Sequence, residues 1–118
     1  MSTDRELLEL AAKAFWGEEI DDVCSVRWLE EEQAIGYTHA ENQDHNGIDQ
    51  EFVWNPLEDD GDALRLAVSM NMGISIHDVQ VTAASAFGMP VKEHDKDTAK
   101  ATRRAIVRAA AEIGRAIP

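Results

Sequence analysis

Cysteine is almost missing from this chain. Cys24 is the single one in 118 residues, so an internal disulfide framework is excluded and a reducing compartment is expected. Its place beside Val23 and Val26 favours packing as a small hydrophobe over reactivity. No apolar run approaches the roughly 20 residues that a membrane-spanning helix needs. The opening MSTDRELLEL carries acids where a secretory signal would carry a basic segment and then an apolar one. A cytoplasmic protein is the expectation. Basic residues are scarce as well. Eleven Lys and Arg face 23 Asp and Glu, and the net charge of -12 opposes nonspecific attraction to DNA or anionic lipid.

Chemical motifs are missing too. No serine sits in a G-x-S-x-G elbow, and Gly61, Gly73 and Gly88 are isolated, so no glycine-rich phosphate cradle is present. The histidines His39, His45, His77 and His94 include no pair at helical i,i+4 spacing, and no Cys–His cluster exists. No catalytic residue, metal ligand or cofactor is therefore assigned.

What is present describes an ordinary globular chain. Hydrophobic residues make up 44% and charged ones 29%, which fits one compact domain over 1–118 with its own core. Charge is segregated: residues 1–95 hold 5 basic against 21 acidic side chains, and residues 96–118 hold 6 against 2. An acidic body thus carries a basic C-terminal segment, a polarity that suggests partner contact or self-association.

The elements follow from caps and periodicity. Thr3 and Glu6 have capping-box spacing, Leu7, Leu8, Ala11, Ala14 and Phe15 form one apolar face, and Gly17 ends the first helix. Val23 to Leu29 predicts a strand with Cys24, Val26 and Trp28 on one side and Ser25 and Arg27 on the other. After the acidic turn Glu30–Glu32, Ala34 to His39 predicts a second strand with Ile35 and Tyr37 on one face, paired with the first as a hairpin. The polar stretch 40–50, with its Asn46–Gly47 turn dipeptide, is expected as a surface loop.

Pro56 brings the chain in extended, and Asp59 then caps a helix expected from Asp60 to about Met72. Its apolar face should hold Leu64, Ala67 and Val68, with Gly73 closing it. Ile74 to Phe87 is strand-like but changes phase at His77–Asp78, which marks a bulge or tight turn. Met89–Pro90–Val91 has the proline of an edge strand. A last helix runs from Asp97 or Thr98 to Ile117, its buried stripe being Ala99, Ile106, Ala110, Ile113 and Ile117. The order αββαββα predicts the α+β class, with helices on both faces of a small, mainly antiparallel sheet in a layered α/β/α sandwich.

Three blocks carry a resemblance. WNPLEDDGDALRLAV (54–68), ATRRAIVRAAAEIGRA (101–116) and the opening TDRELLELAAKA (3–14) resemble small bacteriophage and prophage proteins with the phage ABA sandwich domain. The resemblance implies a helix–sheet–helix layered fold and a phage context, and it implies no catalytic residues; the expected address is then the bacterial host cytoplasm. Residues 29–53 and 83–95 depart from the usual pattern, so what distinguishes this member is expected there.

Several side-chain groups are candidates for function. The basic stripe of Lys100, Arg104, Arg108 and Arg115, with Arg103 beside it, admits three readings: a solvated helix face with Glu112 pairing to Arg108, a dock for the acidic surface of another copy, or phosphate contact. Trp54 is expected as the anchor that clips the loop onto the second helix, and as a hot spot if exposed. The acids Glu58, Asp59, Asp60 and Asp62 favour helix capping over a cation site, because the order and distal glutamate of a calcium loop are missing. The leading expectation is a non-enzymatic phage accessory protein working by protein contact. Its sharper form is an acidic inhibitor of a host nucleic-acid-binding or defence factor. One alternative is a metal-binding protein or small metal-dependent enzyme using His39, His45 and Asp49 in the 39–49 loop; the other is a virion or assembly component.

Overall fold

The computed structural model describes residues 2–17, 20, 24–85 and 88–118, with the side chains at positions 24, 40, 42 and 49 outside that description. The elements are α1 (Asp4–Trp16), β1 (Cys24–Leu29), β2 (Ala34–Gln43), β3 (Asp49–Trp54), α2 (Asp60–Ser69), β4 (Gly73–His77), β5 (Gln80–Ala84), β6 (Val91–His94) and α3 (Thr98–Ala116). The class is α+β, and the order is αβββαβββα. The burial expected for Cys24 and the strand character expected of Phe87 lie outside the described residues.

Local chemistry sets the helix starts. Thr3, Asp59 and Asp97 are the N-caps, and their side chains accept from the backbone N–H of Glu6, Asp62 and Lys100. Helix α1 closes at Gly17, whose φ of 54° suits a residue without a Cβ. Helix α2 ends earlier than expected. Asn71, at φ 52°, takes the left-handed position, while the N–H groups of Asn71 and Met72 bond Val68 O and Ala67 O. That is a Schellman cap, so Gly73 is free to open β4.

The strands form two antiparallel three-stranded sheets, β1-β2-β3 and β4-β5-β6, rather than one. Tyr37 pairs with Val26 on one side and Phe52 on the other, so β2 is central in the first sheet. The polar stretch 40–50 is mostly strand, not loop. The ladder resumes at Gln43↔Asp49 after a register shift, and the hairpin closes on Asp44, whose Oδ1 accepts from Asn46 and Ile48 N–H. In the second sheet the phase change at His77–Asp78 is a two-residue turn. Asp78 has φ 58°, as the first central position of a type II′ turn requires. Met89 and Pro90 precede the edge strand β6 and lie outside it.

Helix α1 packs on β1 and β2, α3 packs on β4, β5 and β6, and α1 and α3 pack on each other. The helix pair therefore links the sheets within an elongated body of 49 × 28 × 25 Å. The α1–α3 approach is close enough that a Cβ on Gly114 would sit 1.9 Å from Leu10 O. Small residues make the approach possible: Ala101, Ala105, Ala109, Ala110 and Ala111 of α3 are all buried.

Because α3 is contacted by α1, α2 and the second sheet, its buried surface is wider than one stripe. Ile106 and Ala110 are buried as expected, Ile113 and Ile117 only partly, and Ala99 is exposed. Helix α2 is rotated from expectation: Ala63, Leu66 and Ala67 are buried, whereas Leu64 and Val68 are 61% and 68% exposed. Its entry sets that rotation. Pro56 is buried, and Asn55 N–H donates to Asp62 Oδ2 at 2.9 Å.

Candidate interaction surfaces

The first sheet carries an acidic turn. Leu29 pairs with Ala34, and the four residues between them close with Gln33 at φ 52° and its Nε2 donating to Glu30 O. Glu30 is held: Trp28 Nε1 donates to Glu30 Oε2 at 2.9 Å, and the Arg5 guanidinium lies 5.1 Å from the Trp28 ring. Glu31 and Glu32 point to solvent without an ion pair among the described residues. Two open clefts flank the turn. One, of about 300 Å³, is bordered by Asp4, Trp28, Glu32, Asn55 and Glu58. The other, of about 320 Å³, is bordered by Arg27, Glu30, Glu31, Glu32 and Glu51. The carboxylates around the turn make a ridge at the Leu29–Ala34 end of the sheet.

Arg27 borders that ridge, and it is spoken for. Its Nε and Nη2 each donate at 2.7 Å to the two oxygens of Glu51. The pair joins the two outer strands of the sheet, β1 and β3; on β2, Gly36 pairs with Arg27, and the Leu29 side chain fills the space where a Cβ would stand. The hydrogen bonds to Arg27 hold the Glu51 carboxyl below its ordinary range, and in return raise Arg27.

A second surface lies at the opposite end of the charge distribution. Arg104, Arg108 and Arg115 of α3 line a groove of about 660 Å³ together with Leu7, Met89, Pro90, Val91 and Glu93. Here Arg104 Nη1 donates to Asp4 Oδ1 at 3.0 Å, and Arg108 Nη1 donates to Glu93 Oε2 and to Lys92 O. Arg115 Nη2 donates to Ser2 Oγ at 2.9 Å. Glu112 pairs with Arg115 at 3.5 Å, not with Arg108 as i,i+4 spacing predicts, because Arg108 turns to Glu93 on β6.

The expected basic surface is therefore divided. Arg103 is outside the groove: its Nε donates to Leu57 O and its Nη1 to Asp60, so it bolts α3 to the loop before α2. Trp54 is not a surface residue. It is 2% exposed, stacked on Phe15 at 5.5 Å and edge-on to Trp16 at 5.0 Å, so it anchors β3 to α1 rather than a loop to α2. Its Nε1–H is buried with no partner among the described residues.

Asp59, Asp60 and Asp62 each meet groups of the chain itself, and Asp59 and Asp62 both face Arg65. Asp59 caps, Asp60 holds Arg103, and Asp62 accepts from Asn55 N–H and pairs with Arg65. Among the described residues no group of three His, Cys, Asp or Glu could hold a metal ion. His45, His77 and His94 are exposed, His39 Nδ1 accepts from Glu41 N–H, and the Asp49 side chain is outside the description. Among the described residues no helix is long and apolar enough to cross a membrane.

Comparison with family models, with curated proteins and with solved structures returns no match to this chain. Function rests on the site itself.

The acidic turn was visible in sequence only as a solvated connection. Its flanking partners Asp4, Glu51 and Glu58 come from three other parts of the chain, and no periodicity links them. The groove was half visible, through the arginine spacing on α3. Met89, Pro90 and Glu93 joined it only once β6 was placed.

Proposed function

We propose that this protein is a phage- or prophage-encoded accessory protein that works by contact, docking its carboxylate ridge on a positively charged protein partner in the host cytoplasm. The sharpest form of this reading is an inhibitor that fills the nucleic-acid groove of a host factor. One observation carries it. All seven arginines are ion-paired within the chain, at Glu9, Glu51, Asp62, Asp60, Asp4, Glu93 and Glu112 among others, while Glu31, Glu32 and Glu58 stand at the ridge without an ion pair among the described residues. The exterior is thereby left with the excess that gives the chain its -12. Such a field steers a basic surface toward the ridge and repels polyanions. The phage context comes from the sequence blocks that resemble the phage ABA sandwich domain.

The test is capture of partners from lysogenic or infected bacterial extract on immobilised protein, at about 0.1 M and then about 1 M salt, where the Debye length falls from about 10 Å to about 3 Å. Basic nucleic-acid-binding proteins should be retained at the lower salt and released at the higher. The triple variant Glu30→Lys, Glu31→Lys, Glu32→Lys should lose them. Retention that ignores both salt and the triple variant would refute the reading.

A further inference from the structure

The sheet edges are not alike. Among the described residues the edge strands are β1, β3, β4 and β6. An edge strand offers unpaired backbone groups to any other chain, and charges, prolines and bulges are the usual protection. Arg27 stands on β1, Glu51 on β3, and Lys92 and Glu93 on β6, which follows Pro90. Strand β4, Gly-Ile-Ser-Ile-His, has none of these, and its register with β5 is unbroken. It also lies in the least charged part of the chain. Residues 66–91 hold one charged side chain, Asp78, in a sequence that is 29% charged. Ile76 is 56% exposed, although Val81, its partner on β5, is buried.

The register shows what this free edge presents. Successive residues of an antiparallel strand bond to opposite sides. Val79 O accepts from Asp95 N–H, so Val79, Val81 and Ala83 bond toward β6, and Gln80, Thr82 and Ala84 bond toward β4. The β4 partners of those last three are His77, Ser75 and Gly73. Ile74 and Ile76 therefore turn both N–H and C=O away from β5. Neither has a backbone partner on that side among the described residues. Their side chains share the face of Ala83 and Val81, which packs against α3, and Ser75 lies on the other face.

Ile-Ser-Ile reads the same in both directions, and that selects the occupant. We infer that β4 is a dimer seam, where a second copy of this chain adds its own β4 antiparallel about a two-fold axis at Ser75. Ile74 then faces Ile76 of the second copy, and Ile76 faces its Ile74. Four backbone hydrogen bonds close, and the two β4–β6 sheets become one sheet of six strands. Four isoleucines meet on the α3 side, as cross-strand pairs of β-branched residues that stabilise a sheet. Charge agrees with this choice. Two molecules of net charge -12 repel, and they come together where charge is absent. The seam has five residues a side, against the roughly 20–30 of a standard interface, so the dimer is weak and reversible. It does not involve the carboxylate ridge, and either contact can fail without the other.

Sedimentation equilibrium of the full chain tests this, over about 10 μM to about 1 mM, where a weak dimer half-forms. A monomer–dimer equilibrium is expected. Raising salt from about 0.1 M to about 1 M should tighten it, because screening removes the repulsion between like-charged copies. Ile76→Lys enters the seam twice and should weaken the dimer about tenfold or more. That side chain is exposed, so the variant should melt like the parent. Register is checked by mild oxidation in a Cys24→Ser background. Ser75→Cys should form a disulfide across the axis, since facing residues of a pair without hydrogen bonds lie about 4.5 Å apart at Cα. His94→Cys, exposed on the far edge strand β6, should not. A chain that stays monomeric, a dimer indifferent to Ile76→Lys, or equal cross-linking of Ser75→Cys and His94→Cys would overturn the inference. A dimer that salt weakens would overturn it too, and would set carboxylates of one copy against arginines of the other.

Discussion

The two sheets share one topology, a three-stranded antiparallel meander with the middle strand in sequence at its centre, and they are built from different material. The β1–β3 sheet is anchored to α1 by large rings: Trp54, Tyr37, Phe15 and Trp16 meet at centroid distances of 5.0 to 5.5 Å. The β4–β6 sheet meets α3 through Val81, Ala83 and Val91, and α3 is itself rich in buried alanine. Rings bury much area from few residues, while small residues gain contact by letting backbones approach. The electrostatics divide the same way. Carboxylates crowd the turn and edge of the first sheet, and guanidiniums line the groove beside the second.

Breaking each packing style gives the largest effects. Trp54→Ala should cost about 4 kcal/mol, the usual loss for a buried aromatic, read from urea unfolding. Gly114→Ala should cost about 3 kcal/mol, because its Cβ meets Leu10 O on the α1 backbone and the helices must separate. If Gly114→Ala were neutral, the close α1–α3 approach would be wrong. Asp59→Ala removes a side-chain acceptor from Asp62 N–H and should cost about 1 kcal/mol. Leu64→Ala sharpens the contrast from the other side. Leu64 is exposed, so its loss should stay within about 0.5 kcal/mol.

That last position shows where sequence reasoning stopped. The N-caps at Thr3, Asp59 and Asp97 were legible because a cap is a contact between residues three apart. The face of α2 was not, because its rotation is set by Asp62 reaching Asn55 and by Arg103 reaching Asp60 from 43 residues away. The end of β2 and the start of β3 escaped notice for a related reason. The stretch 40–50 has no apolar alternation, and its backbone ladder, register shift and Asp44 turn hold it as a hairpin. At the interaction surfaces the arginine spacing on α3 was readable from helical period. Which carboxylate each guanidinium meets was not, since Asp4 lies 100 residues from Arg104.

The smallest expected effect is electrostatic. Glu51 is held below its ordinary value of 4.5 by the Arg27 hydrogen bonds. A carboxyl lowered in the folded state contributes stability in full above the unfolded value and loses it as pH falls through the folded one. The difference between the parent and Glu51→Gln should therefore be present at neutral pH and fade below about pH 4.5. Both partners are solvent-accessible, so added salt should shrink it further. Unfolding curves at neutral and acid pH check this.

The central claim is that the carboxylate ridge is the working surface. Its most direct measurement is the affinity of one captured basic partner as a function of salt, for the parent and for the triple variant Glu30→Gln, Glu31→Gln, Glu32→Gln. Affinity of the parent should fall steeply with salt, and the triple variant should bind weakly with a flatter dependence. Identical affinities and identical salt slopes for the two proteins would contradict the account.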